Sequence, residues 1–212
     1  MNDKDISLIY VWDAYCGWCY GFSKSLREFH QNHLELPINV LSGGLFIGDR
    51  SQAMEAYPHI PEANQRIGQL TGAEFGVPYN KLLNGGTFIM DSEAAAIGFS
   101  ALRALAPEQA VYLASEIQRA FYYEGKSLSD IDTYQDIAKQ FDLDEEKVVE
   151  GIINPETRDL VKQEFVTAGN LGARSYPTLF LKKGDNLYQL GGGAMTASKL
   201  EENYAAFVLL TQ

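Results

Sequence analysis

Residues 6–22 read ISLIYVWDAYCGWCYGF, and this stretch contains the pattern that decides the fold. Its first seven residues, ISLIYVW, are β-branched or aromatic at most positions, which predicts a strand buried on both faces. Two cysteines follow, Cys16 and Cys19. The next positions recur with the spacing of one helix face: Phe22, Leu26, Phe29 and His33. The sequence therefore predicts that the cysteine pair lies at the turn between a buried strand and a helix.

The predicted position of Cys16, at or just before the first turn of the helix, favours a thiolate. Unpaired backbone N–H groups and the helix dipole stabilise an anion at that point. Cys16 is then the attacking sulfur, and Cys19, one turn further into the helix, resolves the mixed disulfide. Gly17 and Trp18 complete the CGWC motif. We predict a redox-active dithiol whose catalytic residues are Cys16 and Cys19.

Three other interpretations of the cysteine pair stay open from the residues alone. Two packing cysteines can fall at this spacing by chance. Together with His30 and His33 the pair resembles a Cys2His2 zinc site, although the gap between the two histidines is shorter than the usual spacing of about three to five residues. The pair can also be redox-capable but unused in a scaffold that binds a partner protein. We predict no metal and no other cofactor.

The remaining sequence adds strands at both ends and helices between them. Residues 37–41 predict a second strand, and residues 178–181 and 187–190 predict a hairpin that precedes a final helix. Apolar stripes with helical spacing fill the segment between them. Specific helix starts are predicted at Pro107, at Pro155 and at a capping box of Asp142 and Glu145. The order of elements indicates an α/β fold in which strands from both ends share one sheet.

The composition restricts the classes of partner. The chain of 212 residues has 17 basic and 28 acidic residues, and its net charge of −11 repels nucleic-acid phosphates. No apolar run approaches the roughly 20 residues that cross a bilayer. The polar first five residues do not resemble a secretion signal, so a cytoplasmic location is expected. Two cysteines three positions apart do not form a disulfide scaffold.

Several motifs together resemble the DsbA-like branch of the thioredoxin superfamily. The likeness is greatest to cytoplasmic bacterial members described as predicted protein-disulfide isomerases, akin to the FrnE-type proteins. It is specific near both ends of the chain and weaker across the helices. The motifs that carry it are DAY at 13–15, CGWCYGF at 16–22, FYYEG at 121–125 and SYPT at 175–178.

This resemblance implies a thioredoxin-like fold with a large inserted helical domain. The discontinuous thioredoxin-like domain would comprise residues 1–50 and 173–212, and the inserted domain residues 51–172. The resemblance also implies that Pro177 is a cis proline facing the cysteine pair, and that the backbone around Tyr176 binds an extended substrate by strand addition. The residues themselves permit a cis bond without requiring one, and Tyr176 is equally well explained as a core or rim aromatic.

One position departs from the pattern of thioredoxin-fold enzymes. Many of them carry an acidic residue on the first strand, six positions before the first cysteine, where it helps to move protons. Here that position is Tyr10. Asp13, three positions before Cys16, either acts through water or caps the turn. The sequence favours the turn role and leaves the proton acceptor for Cys19 open.

The function that these observations favour is thiol–disulfide oxidoreductase. The expected substrate is a disulfide-containing polypeptide or a low-molecular-weight thiol, with no nucleic acid and no membrane as partner. One alternative is a glutathione-dependent transferase or isomerase of the kappa-class type, which shares the inserted-helix layout but usually lacks a two-cysteine motif. The other alternative is a redox-sensitive adaptor whose helical insertion binds a partner protein.

Overall fold

A computed structural model describes residues 6–210 of the chain as a mixed α/β fold. Within this range four strands form one sheet in the order β2-β1-β3-β4, in which β2 is parallel to β1, β3 antiparallel to β1, and β4 antiparallel to β3. Their bounds are β1 (Ile6–Trp12), β2 (Ile38–Ser42), β3 (Thr178–Lys183) and β4 (Asn186–Gly192). The prediction that strands from both ends of the chain share one sheet is confirmed.

Helices follow β1, fill the long segment between β2 and β3, and end the described range. They are α1 (Gly17–Asn32), α2 (Ile60–Thr71), α3 (Val77–Gly85), α4 (Ser92–Leu105), α5 (Ala110–Tyr122), α6 (Ile131–Gln140), α7 (Glu145–Ile153), α8 (Pro155–Asn170) and α9 (Ala197–Leu210). Single 3-10 turns lie at Gly48–Arg50, Met54–Ala56 and Pro107–Gln109. The predicted thioredoxin-like architecture with a large helical insertion is confirmed. The division at residues 51 and 172 into separate domains stays a prediction.

The central position of β1 explains its almost continuous apolar sequence. Successive side chains of a strand point to opposite faces of the sheet. Leu8, Tyr10 and Trp12 belong to the large core to which α1 and, within the insertion, α4, α5 and α6 contribute. Ile9 and Val11 face a smaller core on the opposite side, where β2, β3 and the end of α8 contribute. Both faces are covered, so a strand without polar alternation is stable here.

The helix α1 packs through the stripe that the sequence predicts. Phe22 and Phe29 are fully buried, and Leu26 is nearly so. His33 ends the helix, and its ring lies 4.6 Å from that of Phe29 and 4.8 Å from that of Tyr204 on α9. The packing role of His33 follows from these contacts.

Two local predictions about helix starts need correction. The N-cap residue of α7 is Asp144 and not Asp142. The Asp144 carboxylate accepts hydrogen bonds from the backbone N–H groups of Glu146 at 3.1 Å and Lys147 at 3.2 Å. Asp142 lies in the preceding turn with a φ of 54°, a conformation that an N-cap residue does not adopt. Pro107 opens a 3-10 turn directly before α5 rather than α5 itself.

Across residues 6–210, no helix combines the length and the apolar composition needed to cross a bilayer.

Candidate active site

Cys16 occupies the N-cap position of α1, as the sequence predicts. Its backbone is extended, with φ −86° and ψ 109°, and its carbonyl accepts the first helical hydrogen bonds from Cys19 at 3.0 Å and Tyr20 at 3.1 Å. The Cys16 side chain accepts no hydrogen bond from the first turn. Because the first N–H groups of a helix lack partners within the helix, a Cys16 thiolate would lie where an anion is stabilised.

The two thiols differ in depth. Both cysteines are free, Cys16 is 6% exposed and Cys19 is fully buried. Burial raises the pKa of the Cys19 thiol well above its usual value, and its hydrogen bond with Cys16 and the negative charge of a Cys16 thiolate act in the same direction. Cys19 therefore stays protonated, and its position behind the slightly exposed Cys16 suits an inner resolving thiol.

The loop before β3 brings a distant part of the chain to Cys16. The peptide bond between Tyr176 and Pro177 is cis, as the resemblance implies. The Cys16 thiol donates a hydrogen bond to the backbone oxygen of Tyr176 at 3.3 Å, although 160 positions separate the two residues. On the other side of the loop, a Cβ at Gly192 of β4 would lie 2.3 Å from the Pro177 oxygen. Only glycine fits there.

The side chain of Tyr176 is held in the fold. Its hydroxyl donates a hydrogen bond to the Gly43 oxygen at 2.5 Å, and its ring lies so close that a Cβ at Gly43 would approach it to 2.2 Å. The ring is half-buried at the rim of the smaller core. These contacts fix the backbone of Tyr176 next to Cys16. The ring itself packs as an aromatic side chain at the rim of the core.

Asp13 organises the turn that leads into the cysteine motif. Its carboxylate accepts hydrogen bonds from the Tyr15 backbone at 2.9 Å, the Leu45 backbone at 2.7 Å and the Ser92 hydroxyl at 3.0 Å. The side chain is buried, and burial raises its pKa, while these three hydrogen bonds oppose that shift. The turn role of Asp13 is visible directly in these contacts.

Tyr10 replaces the missing acid of the first strand with a neutral donor. It is 2% exposed, and its hydroxyl is close enough to Cys19 for the two groups to influence each other electrostatically. Burial raises the pKa of Tyr10 well above its usual value, and negative charge on Cys19 or Cys16 raises it further. The phenol therefore remains protonated and can donate to a Cys19 thiolate, but it cannot act as the base that deprotonates Cys19.

Gln118 of α5 is a site residue that the sequence analysis missed. It is 1% exposed, and its Nε2 donates hydrogen bonds to the backbone oxygen of Asp13 at 3.2 Å and to the backbone oxygen of Cys16 at 3.5 Å. The helical insertion thereby holds the backbone of the active-site turn. The sequence pattern does not indicate that this glutamine, which lies between the stripe positions Ile117 and Phe121, is buried at the site. Its burial depends on how α5 packs against α1.

A cavity of about 120 Å³ lies beside Cys16, between the start of α1 and the helix α2. Gly17 forms part of its wall, and a Cβ added there would lie 3.0 Å from Ile67 Cδ1 and 3.3 Å from Asn64 Oδ1. Asn64 in turn donates to the Tyr79 hydroxyl at 2.8 Å. No pattern in the sequence indicates this cavity, since its lining comes from α1, α2, α3, α5 and several loops.

The arrangement does not support the zinc interpretation. Within residues 6–210, no group of three or more His, Cys, Asp or Glu side chains is placed to hold a metal ion. His30 and His33 lie at the opposite end of α1 from the cysteines. Eleven residues of helix separate His30 from Cys19, which corresponds to roughly 16 Å of rise.

Solved structures share this fold over nearly the whole chain. A predicted protein disulfide isomerase from Nitrosomonas europaea is 21% identical, with a TM-score of 0.84, over 98% of this chain and all of the other. The cytosolic disulfide reductase DsbM from Pseudomonas aeruginosa with GSH is 25% identical, with a TM-score of 0.78, over 97% of this chain and 100% of its own. A 2-hydroxychromene-2-carboxylate isomerase is 16% identical, with a TM-score of 0.65, over 96% and 95%.

Sequence comparisons give the family. A search of curated proteins finds no match. The sequence profile of the DSBA-like thioredoxin domain matches residues 7–205, a range that includes the cysteine motif, the helical insertion and the cis-proline loop. The chain belongs to the family of DSBA-like thioredoxin-domain thiol oxidoreductases.

Proposed function

We propose that the protein reduces or isomerises disulfides with Cys16 as nucleophile and Cys19 as resolving thiol. The observation that carries this proposal is the position of the Cys16 sulfur, at the N-terminus of α1 and 3.3 Å from the Tyr176 oxygen beside a cis proline. A free thiol in that position has a stabilised anionic form and a backbone acceptor beside it. Cys19 lies one helical turn away and is shielded from solvent.

The proposed reaction has two exchange steps. The Cys16 thiolate attacks one sulfur of the substrate disulfide, and the other substrate sulfur leaves as a thiolate and takes up a proton. Cys19 then loses its proton and attacks the Cys16 sulfur, which releases the second substrate thiol and leaves a Cys16–Cys19 disulfide. An external dithiol restores the reduced pair. In isomerisation, a second thiol of the substrate attacks the substrate sulfur that is bonded to Cys16 before Cys19 reacts. A new substrate disulfide forms, Cys16 leaves as a thiolate, and the pair is not oxidised.

The direction of electron flow depends on the reduction potential of the Cys16–Cys19 pair. The likeness to DsbM, whose structure with GSH is that of a cytosolic disulfide reductase, supports the reducing direction and a cytoplasmic location. We propose that the protein is a disulfide reductase or isomerase of the cytoplasm.

The proposed substrates are disulfide-containing polypeptides, with low-molecular-weight disulfides as the second class. The backbone at Tyr176 and Pro177 lies beside Cys16 and offers hydrogen-bonding groups to an extended segment. The DsbM structure with GSH supports the second class by analogy. A kappa-class type of transferase or isomerase shares the fold, as the 2-hydroxychromene-2-carboxylate isomerase shows. The pair of free thiols in one helical turn favours the oxidoreductase.

Reduction of a disulfide substrate by dithiothreitol, with and without the protein, tests this proposal. The wild type should accelerate the reaction, Cys16→Ser should abolish the acceleration, and Cys19→Ser should accumulate the mixed disulfide, which mass spectrometry detects. Equal turnover by Cys16→Ser would disprove the mechanism. Glutathione conjugation that survives Cys19→Ser would support the transferase instead. Capture of a partner protein by the variant that lacks both thiols would support the adaptor.

A further inference from the structure

The cavity beside Cys16 differs in composition from the rest of this acidic chain. The chain has a net charge of −11, yet among residues 6–210 no Asp, Glu, Lys or Arg lines the cavity, and the one basic side chain there is the exposed His59. Apolar and aromatic side chains dominate the lining, among them Trp18, Ile60, Ala63 and Phe121. A carboxylate placed there would lose its hydration with no buried cation to pair with, which is costly. The lining therefore favours an apolar occupant.

The size of the cavity limits what can enter it. Its volume of about 120 Å³ corresponds to roughly four water molecules, which is room for one aliphatic side chain. Pockets that enclose whole drug-sized ligands begin at about 300 Å³. A single apolar side chain fits these limits, whereas a complete peptidic thiol with its carboxylates does not.

The cavity is also in the correct place for a side chain next to the reacting cysteine of a substrate. Cys16 and Gly17 belong to its wall, and α1 approaches α2 so closely at Gly17 that a Cβ there would lie 3.0 Å from Ile67 Cδ1. In the mixed disulfide a substrate cysteine is bonded to Cys16. The residue beside that cysteine is one Cα–Cα step of about 3.8 Å away, so its side chain lies within reach of the cavity.

This inference rests on the function proposed above. We propose that the cavity is a specificity pocket for the apolar side chain of the residue next to the reacting cysteine of a polypeptide disulfide. Substrates with leucine or a similar residue next to the cysteine are preferred over those with glycine, and aspartate at that position is disfavoured. Burial of one aliphatic side chain gives about a tenfold preference or more in rate.

Symmetric peptide disulfides test this preference, since either sulfur can then be attacked with the same result. Two sets of short peptides carry Leu, Gly or Asp directly before or directly after a single cysteine. Single-turnover reduction by the reduced protein is followed by chromatography, and each rate is divided by the rate with dithiothreitol to remove intrinsic reactivity. In one of the two sets, the leucine peptide should react about tenfold faster than the glycine peptide, and the aspartate peptide should be slowest.

Variants of α2 locate the preference in the cavity. Ala63→Phe fills the cavity and should bring the ratio of the leucine rate to the glycine rate close to one. Ala63→Val reduces the volume less and should lower the ratio in part, which keeps the test valid if the larger variant does not fold. Glu62→Phe adds the same ring at an exposed neighbouring position outside the cavity, and the wild-type ratio should persist.

The outcomes separate this inference from the proposed function. Equal rates for leucine and glycine peptides with the wild type would overturn the specificity pocket and leave the oxidoreductase intact, provided that Cys16→Ser is inactive on both. No Cys16-dependent reduction of any peptide would disprove the proposed function. If Ala63→Phe slows the reduction of glutathione disulfide but retains the leucine preference, the cavity serves a low-molecular-weight thiol and the inference is wrong.

Discussion

Replacing Asp13 with asparagine removes a buried negative charge below the active-site turn and keeps the shape of the side chain. In the native protein Oδ1 accepts from Tyr15 at 2.9 Å and from the Ser92 hydroxyl at 3.0 Å, and Oδ2 accepts from Leu45 at 2.7 Å. Asparagine has one acceptor oxygen, so at least one backbone N–H faces its NH2 group and loses its partner. A buried donor without a partner costs about 1–3 kcal/mol, and we expect Asp13→Asn to lower the free energy of unfolding by about 2 kcal/mol at acid pH.

The pH dependence of this loss reports the buried charge. Burial raises the pKa of Asp13 above 3.8, so the folded state holds its proton at pH values where the unfolded chain has released it. The stability that this group contributes is fully present below the unfolded pKa and is lost as pH rises through the folded pKa. Asparagine does not titrate. The destabilisation by Asp13→Asn should therefore shrink towards neutral pH, by about 1.4 kcal/mol for each unit of pKa shift.

Urea unfolding followed by tryptophan fluorescence, at constant ionic strength from acid to neutral pH, measures this difference. Asp185→Asn, in the exposed turn between β3 and β4, is the matched control and should cause no comparable loss at any pH. A destabilisation by Asp13→Asn that stays constant with pH, or grows as pH rises, would refute the reasoning about the buried charge. The absence of any loss would refute the turn role of Asp13.

Two further variants probe the contacts around the dithiol. Tyr10→Phe keeps the ring and removes the hydroxyl that can donate to a Cys19 thiolate, so the mixed disulfide should decay about tenfold more slowly in a quenched single turnover; an unchanged decay rate would exclude the donor role. Gly43→Ala places a Cβ 2.2 Å from the Tyr176 ring and should lower the free energy of unfolding by about 1–3 kcal/mol in urea. Adding Tyr176→Ala should remove much of that extra loss, and strictly additive effects would contradict the predicted clash.

Local patterns in the sequence predicted the part of the site that lies on one continuous segment. The strand β1 has the predicted bounds, and α1 begins at the cysteine motif, because burial on both faces and a helical stripe leave strong periodic signals. The cis bond at Pro177 followed from the resemblance and not from the residues. The predicted N-cap of α7 was wrong by two residues. Asp142 and Asp144 both precede a Glu, and only the backbone geometry distinguishes them.

Taken by itself, the sequence determined the strand-to-helix turn and predicted the nucleophile and its partner thiol on it, because these depend on neighbours along the chain. Tertiary structure alone decided what surrounds the dithiol. Gln118 reaches the turn from α5, Gly43 holds the ring of Tyr176, and the cavity beside Cys16 is closed by α2. Contacts of this kind join residues far apart in the chain, and their energy depends on distance in space, which no spacing within a single segment encodes.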